Sequence, residues 1–480
     1  MTEHHDALLP SDFLFGVATA GFQIEGGFNG PGEPANNWAS WELEGRVEPS
    51  GSATNFWEDP ESQLDLAKAA GLNSFRLALE WTRVEPSRGV IDQSAFDRYR
   101  HILNAIRERD MEPVVTLQHF THPSWLGVEP WRDPETAPIL AAWMDRAVGE
   151  LGELCSRWVT INEPGVLCIN SFLTGIFPPG RTLDGKGWSA SFDTLLAAHV
   201  LGYDAIHRRQ PDALVTTNPY TFSIYELDQI GTDILMARPR GFDGPDVLPH
   251  LIEARREHYA RIGDGGTGWS GRLERGLRRF AASQIPVADA LPTTRAALAA
   301  SESPRHLDVV AVDHYAPIAA SHLVVPGSQT AGGRWWKPGR ALWDDAPDPS
   351  FMVTVLEEAG QYGLPVWVLE NGMCNRVVRG RSYPRMDGLR RPQYLADHLG
   401  AVLAAVDKGV DVRGFWHWTL IDNYEWGSYE PRFGLYGMDR ARGLSVSVTD
   451  ALGEDSAGAM RRIIEGLHGG DRSVVTAPRS

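Results

Sequence analysis

WVTINEPGVL, residues 158–167, begins as a short strand and ends on an Asn-Glu pair with a proline directly behind it. Val159, Thr160 and Ile161 are branched side chains that favour extended backbone, and Pro164 cannot continue a central strand. Glu163 therefore stands where a strand stops. A carboxylate is costly to bury, so its placement there asks for a use. PVWVLENG, residues 365–372, repeats the arrangement with Glu370.

The same unit recurs outward from these two stretches: an apolar run of strand length, then a longer segment of helical spacing. The strand candidates are FLFGVATA (13–20), LNSFRLAL (72–79), PVVTLQH (113–119), WVTINE (158–163), LVTTNPY (214–220), LDVVAVDHY (307–315), PVWVLEN (365–371) and VRGFWHW (412–418). Several are continuously apolar, as strands covered on both faces are. Helical spacing lies between them, as in PESQLDLAKAAG (60–71) and FDRYRHILNAIRERD (96–110). Eight strands alternating with helices predict an α/β protein, a single (β/α)8 TIM barrel over 1–480 with its core at about 11–470. A doubly wound open sheet is the alternative. Long segments at about 28–56, 221–306 and 316–350 follow strands one, five and six. In a barrel such segments gather at the C-terminal mouth, where chemistry is built.

The bulk composition narrows the field. With 480 residues, 42% of them hydrophobic, the chain has ample material for a large core. A formal charge of −17 with no basic run argues against nucleic acid or an anionic membrane as partner. MTEHHDALLPSDF lacks the basic and apolar regions of a signal peptide, and no run of about 18 apolar residues occurs. Cys155, Cys168 and Cys374 have no metal spacing and fit a reducing cytoplasm. Several of the 17 tryptophans stand at strand ends, where a flat apolar face suits the C–H surface of a sugar ring.

If the barrel is right, the strand ends bring one palette to one mouth. It comprises Gln23, Glu25, Arg76, Glu80, Gln118, His119, His122, Asn162, Glu163, Asn218, Asp313, His314, Tyr315, Glu370, Asn371 and Trp418, with Asp422, Asn423, Glu425 and Trp426 beyond. Amides, imidazole, carboxylates and indoles suit a sugar. Strands four and seven lie nearly opposite, so Glu163 and Glu370 form a candidate pair of carboxylates for glycoside hydrolysis. A retaining enzyme holds such a pair about 5 Å apart, and an inverting one leaves room for a water.

FLFGVATAGFQIEGG, HFTHPSWL, TINEPG, LENGM and FWHWTLIDNYEW, in this order from residue 13 to about 440, resemble the signatures of glycoside hydrolase family 1, the β-glucosidase family. The resemblance implies a (β/α)8 barrel, no metal or organic cofactor, and a small-molecule β-glycoside as substrate. It implies that Glu163 is the acid/base and Glu370 the nucleophile. Gln23, His119, Asn162, Glu425 and Trp426 match sugar-binding positions, and Trp418 the indole beneath the sugar. Arg76 and Tyr315 match groups that hold the nucleophile, Trp343 a stacking partner of the leaving group, and Phe433 an aromatic near the C6 edge.

The chain also departs from the pattern. Phe120 stands where many members have Trp, ATNFWED (53–59) replaces a segment rich in Cys, Asp and His, and 427–431 is about one residue short. Asp313-His314 replaces the usual Asn-Tyr, and the two either bind a polar leaving group or pair with each other. Glu425, with no Lys in GSYEPRFG behind it, argues against 6-phosphorylated sugars, because its charge would repel a phosphate. The leading expectation is a retaining exo-β-glycosidase. Transglycosylation by the same intermediate, a sugar-binding barrel without strong catalysis, and a metal-dependent hydrolase using His119, His122, His314 and the glutamates are the alternatives. The last lacks any HExxH spacing.

Overall fold

The computed structural model describes residues 8–221, 224–261, 291–315, 347–385 and 387–478. Eight strands form at the expected places: Leu14–Ala18, Ser74–Ala78, Glu112–Thr116, Arg157–Asn162, Leu214–Asn218, Val310–Asp313, Val366–Asn371 and Val412–Trp418, the first to eighth barrel strands. They make one sheet of parallel neighbours in the order 5-4-3-2-1-8-7-6. The fifth and sixth strands then meet through a parallel Tyr220–Asp313 bridge, with Thr221 N donating to Asp313 O at 3.0 Å and Asp308 N to Val215 O at 3.0 Å. The sheet is thus a nearly closed barrel, which a doubly wound sheet with its two free edges is not.

Strand alternation divides the core in two. Ala18, Val114, Val159, Val309, Ala311, Trp367, Leu369, Trp416 and Trp418 pack together inside the barrel. Val17, Phe75, Val115, Ile161, Val310, Val312 and Val368 belong to the larger cluster beneath the helices. Several of the helices between strands are set by aspartate caps, which satisfy first-turn N–H groups. Asp59 accepts from Ser62 N ahead of Pro60–Ala69, and Asp92 from Ser94 N ahead of Gln93–Arg107. The second helix starts three residues earlier than the apolar spacing indicated, because Asp92 supplies the cap.

Residues 221–306, read as one long loop, contain helices Gln229–Leu235, Val247–Arg261 and Pro292–Ala300 among the described residues. Most of 316–350, including Trp335, Trp336 and Trp343, lies outside the described residues. Among the described residues no helix is long and apolar enough to cross a membrane.

Candidate active site

The seventh strand carries Glu370 to the mouth, and two donors take both of its oxygens. Arg76 Nη1, from the second strand, lies 2.7 Å from Glu370 Oε1, and the Tyr315 hydroxyl donates to Oε2 at 2.7 Å. Arg76 is fully buried and is itself fixed by Thr116 Oγ1, 3.0 Å from its Nε, and by Asn162 Oδ1 on its other arm. Gly372 lets this strand exit closely: a Cβ there would sit 2.3 Å from the Trp418 carbonyl oxygen.

Glu163 is held differently. Its φ of +38° lies in the left-handed region, sparsely populated for a side-chain-bearing residue. Phe120 and Trp426, in the same pocket, also have positive φ, at 67° and 44°. Such strain persists only where the surroundings over-determine it, and it collects at active sites. Asn162 Nδ2 is 3.5 Å from Glu163 Oε2, too far for a good hydrogen bond, and Oε1 has no protein donor.

A third carboxylate joins these two. Asp313, Glu163 and Glu370 present oxygens that all lie within 4.8 Å of one another. Successive residues of a strand face opposite ways, so Asp313 follows Val309 and Ala311 inward while His314 turns out. His314 Nδ1 meets Thr221 Oγ1 at 2.8 Å, and its ring lies near Phe351 and His398. Asp313 and His314 therefore neither pair with each other nor act together on a leaving group. Asp313 Oδ2 accepts from Asn218 Nδ2, and Oδ1 has no protein donor.

The electrostatics separate the three acids. Burial raises Glu163 well above the usual carboxyl range, and the charges of Asp313 and Glu370 raise it further. Burial and Glu370 do the same to Asp313. Burial also raises Glu370, but the Arg76 charge and the Tyr315 hydrogen bond pull it back. Glu370 is the one with a cation in direct contact, so it ionises first. The trio is also the one group among the described residues whose ligand atoms converge closely enough for a cation. Carboxylate oxygens suit a hard ion, but Arg76 and Tyr315 already occupy both oxygens of Glu370.

The remaining predicted residues surround this centre. Asn162 Nδ2 lies 3.1 Å from His119 Nε2, and burial beside Arg76 depresses the imidazole well below its ordinary value, so His119 is neutral. Gln23 Nε2 donates to Tyr424 O at 2.8 Å and to Glu425 Oε2 at 2.9 Å, leaving Gln23 Oε1 without a partner. Trp418 lies beside His119 with ring centres 5.8 Å apart. Trp426 packs against His119, Phe120, Phe177, Phe22 and Trp38. Phe433 sets its edge against Tyr315. Burial and the Glu370 charge push Glu425 up to about 8. This corrects one expectation: at neutral pH Glu425 is mostly protonated and does not repel a phosphate by charge. The argument against phospho-sugars then rests on a different fact, that no Lys or Arg pairs with Glu425 among the described residues.

Other strand-end groups stay out of the pocket. Glu25 and Glu80 bond to Tyr99, Arg83, Thr121 and the Phe22 amide. His122 approaches the Gly127 carbonyl, Asn371 donates to His314 O, and Asp422 accepts from Gly434 N. Conversely, Asn218 orients Asp313, and Thr116 orients Arg76. Asn218 was visible as a polar strand end, whereas Thr116 ends the third strand in the fold but falls inside the candidate run 113–119 and gave no signal. Phe177 comes from a loop without periodicity. Residues 47–50 also support the site: Glu48 N donates to Gly427 O at 3.0 Å, and Glu48 Oε2 accepts from Tyr429 N at 3.1 Å.

Compared with known proteins, residues 5–243 and 340–451 match the model of Glycosyl hydrolase family 1. Beta-glucosidase 47 of Arabidopsis thaliana is 27% identical over 90% of this chain and 81% of that protein. Beta-glucosidase 5 of Oryza sativa subsp. japonica is 26% identical over 90% and 86%. Among solved structures, a beta-glucosidase from Thermotoga maritima in complex with deoxynojirimycin superposes with a TM-score of 0.70 at 21% identity, covering 96% of this chain and 99% of that one. The AHE enzyme from Alicyclobacillus herbarius does so with a TM-score of 0.72 at 22% identity, over the same shares. These structural likenesses bear on the fold.

Proposed function

The chain belongs to glycosyl hydrolase family 1 and is an O-glycosyl hydrolase, and we propose that it is a retaining exo-β-glycosidase acting on non-phosphorylated β-D-glycosides by double displacement. The observation that carries this is the contrast at one centre. Two glutamates present oxygens within 4.8 Å, one clamped by a cation and a hydroxyl, the other raised and undonated. That separation is closer to the spacing of a retaining pair than to the wider one of an inverting pair, which supports the retaining reading.

In this reading Glu370 attacks the anomeric carbon while Glu163 gives its proton to the departing oxygen. Arg76 and the Tyr315 hydroxyl keep Glu370 ionised and aimed. Esterification removes the Glu370 charge, Glu163 becomes easier to ionise, and it then takes the proton of the attacking water. Gln23, His119 and Glu425 bind outer hydroxyls, Asn162 the 2-hydroxyl, and Trp418 the ring face. Their unpartnered atoms, Gln23 Oε1 and His119 Nδ1, support this, because buried polar atoms without partners mark a place where a ligand completes them. The aromatic wall around Trp426 stands behind these groups and supports removal of one terminal sugar. Trp343, outside the described residues, keeps the leaving-group role the resemblance implies. The three cysteines are buried and are not joined to one another, which supports a reducing, cytoplasmic setting.

The test is hydrolysis of 4-nitrophenyl β-glucoside, β-galactoside, β-fucoside and β-xyloside with azide present. Wild type should cleave at least one. Glu163→Ala should yield a β-glycosyl azide and Glu370→Gly an α-glycosyl azide. Wild type inert on every β-glycoside while still binding sugars would sink the catalytic reading.

A further inference from the structure

The double displacement above needs two carboxylates, yet the centre holds three. Asp313 is fully buried, on the inner face of the sixth strand, and its Oδ2 is fixed by Asn218. Asn218 in turn shares the Asn162 oxygen with Arg76, so a continuous hydrogen-bonded row sets the position of Asp313. The carboxylates of Asp313 and Glu163 approach each other, with an oxygen of each within 4.8 Å of the other. Each keeps one buried oxygen, Oδ1 and Oε1, without a donor among the described residues. Two buried carboxylates this close repel each other unless a proton lies between them, since an ionised carboxylate is an acceptor alone.

We propose that Asp313 is a positioning residue that shares a proton with Glu163 and holds it on the acid/base until the leaving group departs. The inference rests on Glu163 being the acid/base. The groups facing the pair are Arg76 from the second strand, neutral His119 from beyond the third, Asn162 from the fourth, Asn218 from the fifth, Tyr315 from beyond the sixth and Glu370 from the seventh. Arg76 is the one cation among them, and in the free enzyme it is engaged with Glu370. The pair is left with the shared proton as its neutralising charge. Burial and the Asp313 charge displace Glu163 upward, and burial and the Glu370 charge displace Asp313 upward, which agrees with this.

Charge balances through the cycle. At the start Glu370 and Asp313 are ionised and Glu163 carries the proton. In the first displacement a bond forms from a Glu370 oxygen to the anomeric carbon, and the bond to the leaving oxygen breaks. That oxygen keeps the electron pair and takes the Glu163 proton. Glu163 and Asp313 are then both anionic, but Glu370 is an ester and the Arg76 charge is available to them. In the second displacement the oxygen of water bonds to the anomeric carbon, the ester bond returns its electrons to Glu370, and the proton of the water returns to the Glu163–Asp313 pair. The four groups carry one net negative charge throughout.

The experiment is the pH profile of kcat/KM for Asp313→Asn, which keeps the shape and removes the charge. It is measured with an alkyl or phenyl β-glycoside and with a 2,4-dinitrophenyl one. For the glycoside whose leaving group needs a proton, the alkaline limb should move down by about one pH unit or more, a loss of about tenfold at alkaline pH. The limb for the dinitrophenyl glycoside should not follow the substitution, which a merely structural defect would not achieve. If Asp313→Asn fails to fold, Asp313→Ser is used, with the same expectation. Glu163→Ala separates the two readings. If it keeps the alkaline limb and shows no azide rescue, Glu163 is not the acid/base. If it behaves as an acid/base variant while Asp313→Asn leaves the limb in place or moves it upward, the proton-sharing proposal is overturned. Loss of wild-type activity in EDTA, restored by Mg2+ or Ca2+, would put a cation between the carboxylates and overturn it equally.

Discussion

Two groups of buried carboxylates stand just past the strand ends of this barrel, and each contains one arginine. In the first, Glu25 accepts from Tyr99 at 2.8 Å and from Arg83 at 2.9 Å, while Glu80 accepts from the Phe22 amide and from Thr121, each at 2.8 Å. All four oxygens have donors. In the second, Glu370 is fully served, Asp313 is half served, and Glu163 has only a contact too long to count. Both groups are buried, and in both the carboxylates outnumber the arginine. The difference is unspent acceptor capacity, and that, rather than acidity, marks the place where chemistry needs groups to change partners.

The comparison breaks first at the nucleophile. Glu370→Gly should lower kcat by about 10⁴–10⁶-fold, with azide restoring part of it. Glu80→Gln should leave kcat close to wild type, because that carboxyl is pushed up to about 8 and is already neutral at pH 7. A large loss of kcat in Glu80→Gln at normal folding would mean that the first group also serves the reaction.

Arginine replacement gives the next largest effect. Removing one partner of a buried pair leaves an uncompensated charge and costs about 3–5 kcal/mol, so Arg83→Met and Arg76→Met should both lower thermal stability. They should differ in the pH–rate profile. Arg76→Met removes the charge that pulls Glu370 down, so the acid limb should move upward. Arg83→Met should leave that limb where it is. Equal limbs in the two variants would show that Arg76 does not control Glu370.

This comparison also shows where sequence reading stops. Repeated apolar runs reveal the eight strands because a barrel strand is buried on both faces, and Glu163 and Glu370 are legible because a carboxylate directly after such a run has no structural excuse. Glu25 and Glu80 look the same in sequence. Their donors, Tyr99, Arg83 and Thr121, lie tens of residues away or on a turn, so only the fold shows that they are satisfied. The separation of Asp313 from His314 follows from strand parity, but it requires knowing that the irregular pairing between Val312 and Asp313 puts its extra residue on the seventh strand and leaves the parity of the sixth intact. Helices within 221–306 were hidden because the segment lacks the apolar run of a strand and its composition reads as an insertion.

A smaller effect sharpens the contrast through stability. Glu80 in the folded chain titrates near 8, above an unfolded value of about 4.3. The folded state therefore binds more protons between these values, and stability falls as pH rises through that window. Glu163, Asp313 and Glu425 are displaced in the same direction. Wild type should thus melt higher at pH 5 than at pH 8, and Glu80→Gln should flatten part of the slope. A slope of opposite sign would mean that these carboxyls are ionised in the fold.

The smallest change falls on the wall between the satisfied and the unsatisfied regions. Phe120 is 3% exposed, with ring centres 4.9 Å from His119 and from Trp426 and 5.3 Å from Phe177. Phe120→Trp enlarges a ring in a filled site, which should cost about 1–3 kcal/mol, read as a modest fall in Tm. The indole also brings an N–H. If it faces the pocket beside His119, it gains a hydrogen bond to a sugar hydroxyl, worth about 1 kcal/mol, and KM for a β-glucoside should drop about fivefold. An unchanged KM with the same fall in Tm would assign Phe120 wholly to the packed wall. Binding of the outer hydroxyls would then end at His119, Gln23 and Glu425, of which His119 Nδ1 and Gln23 Oε1 still have partners to gain.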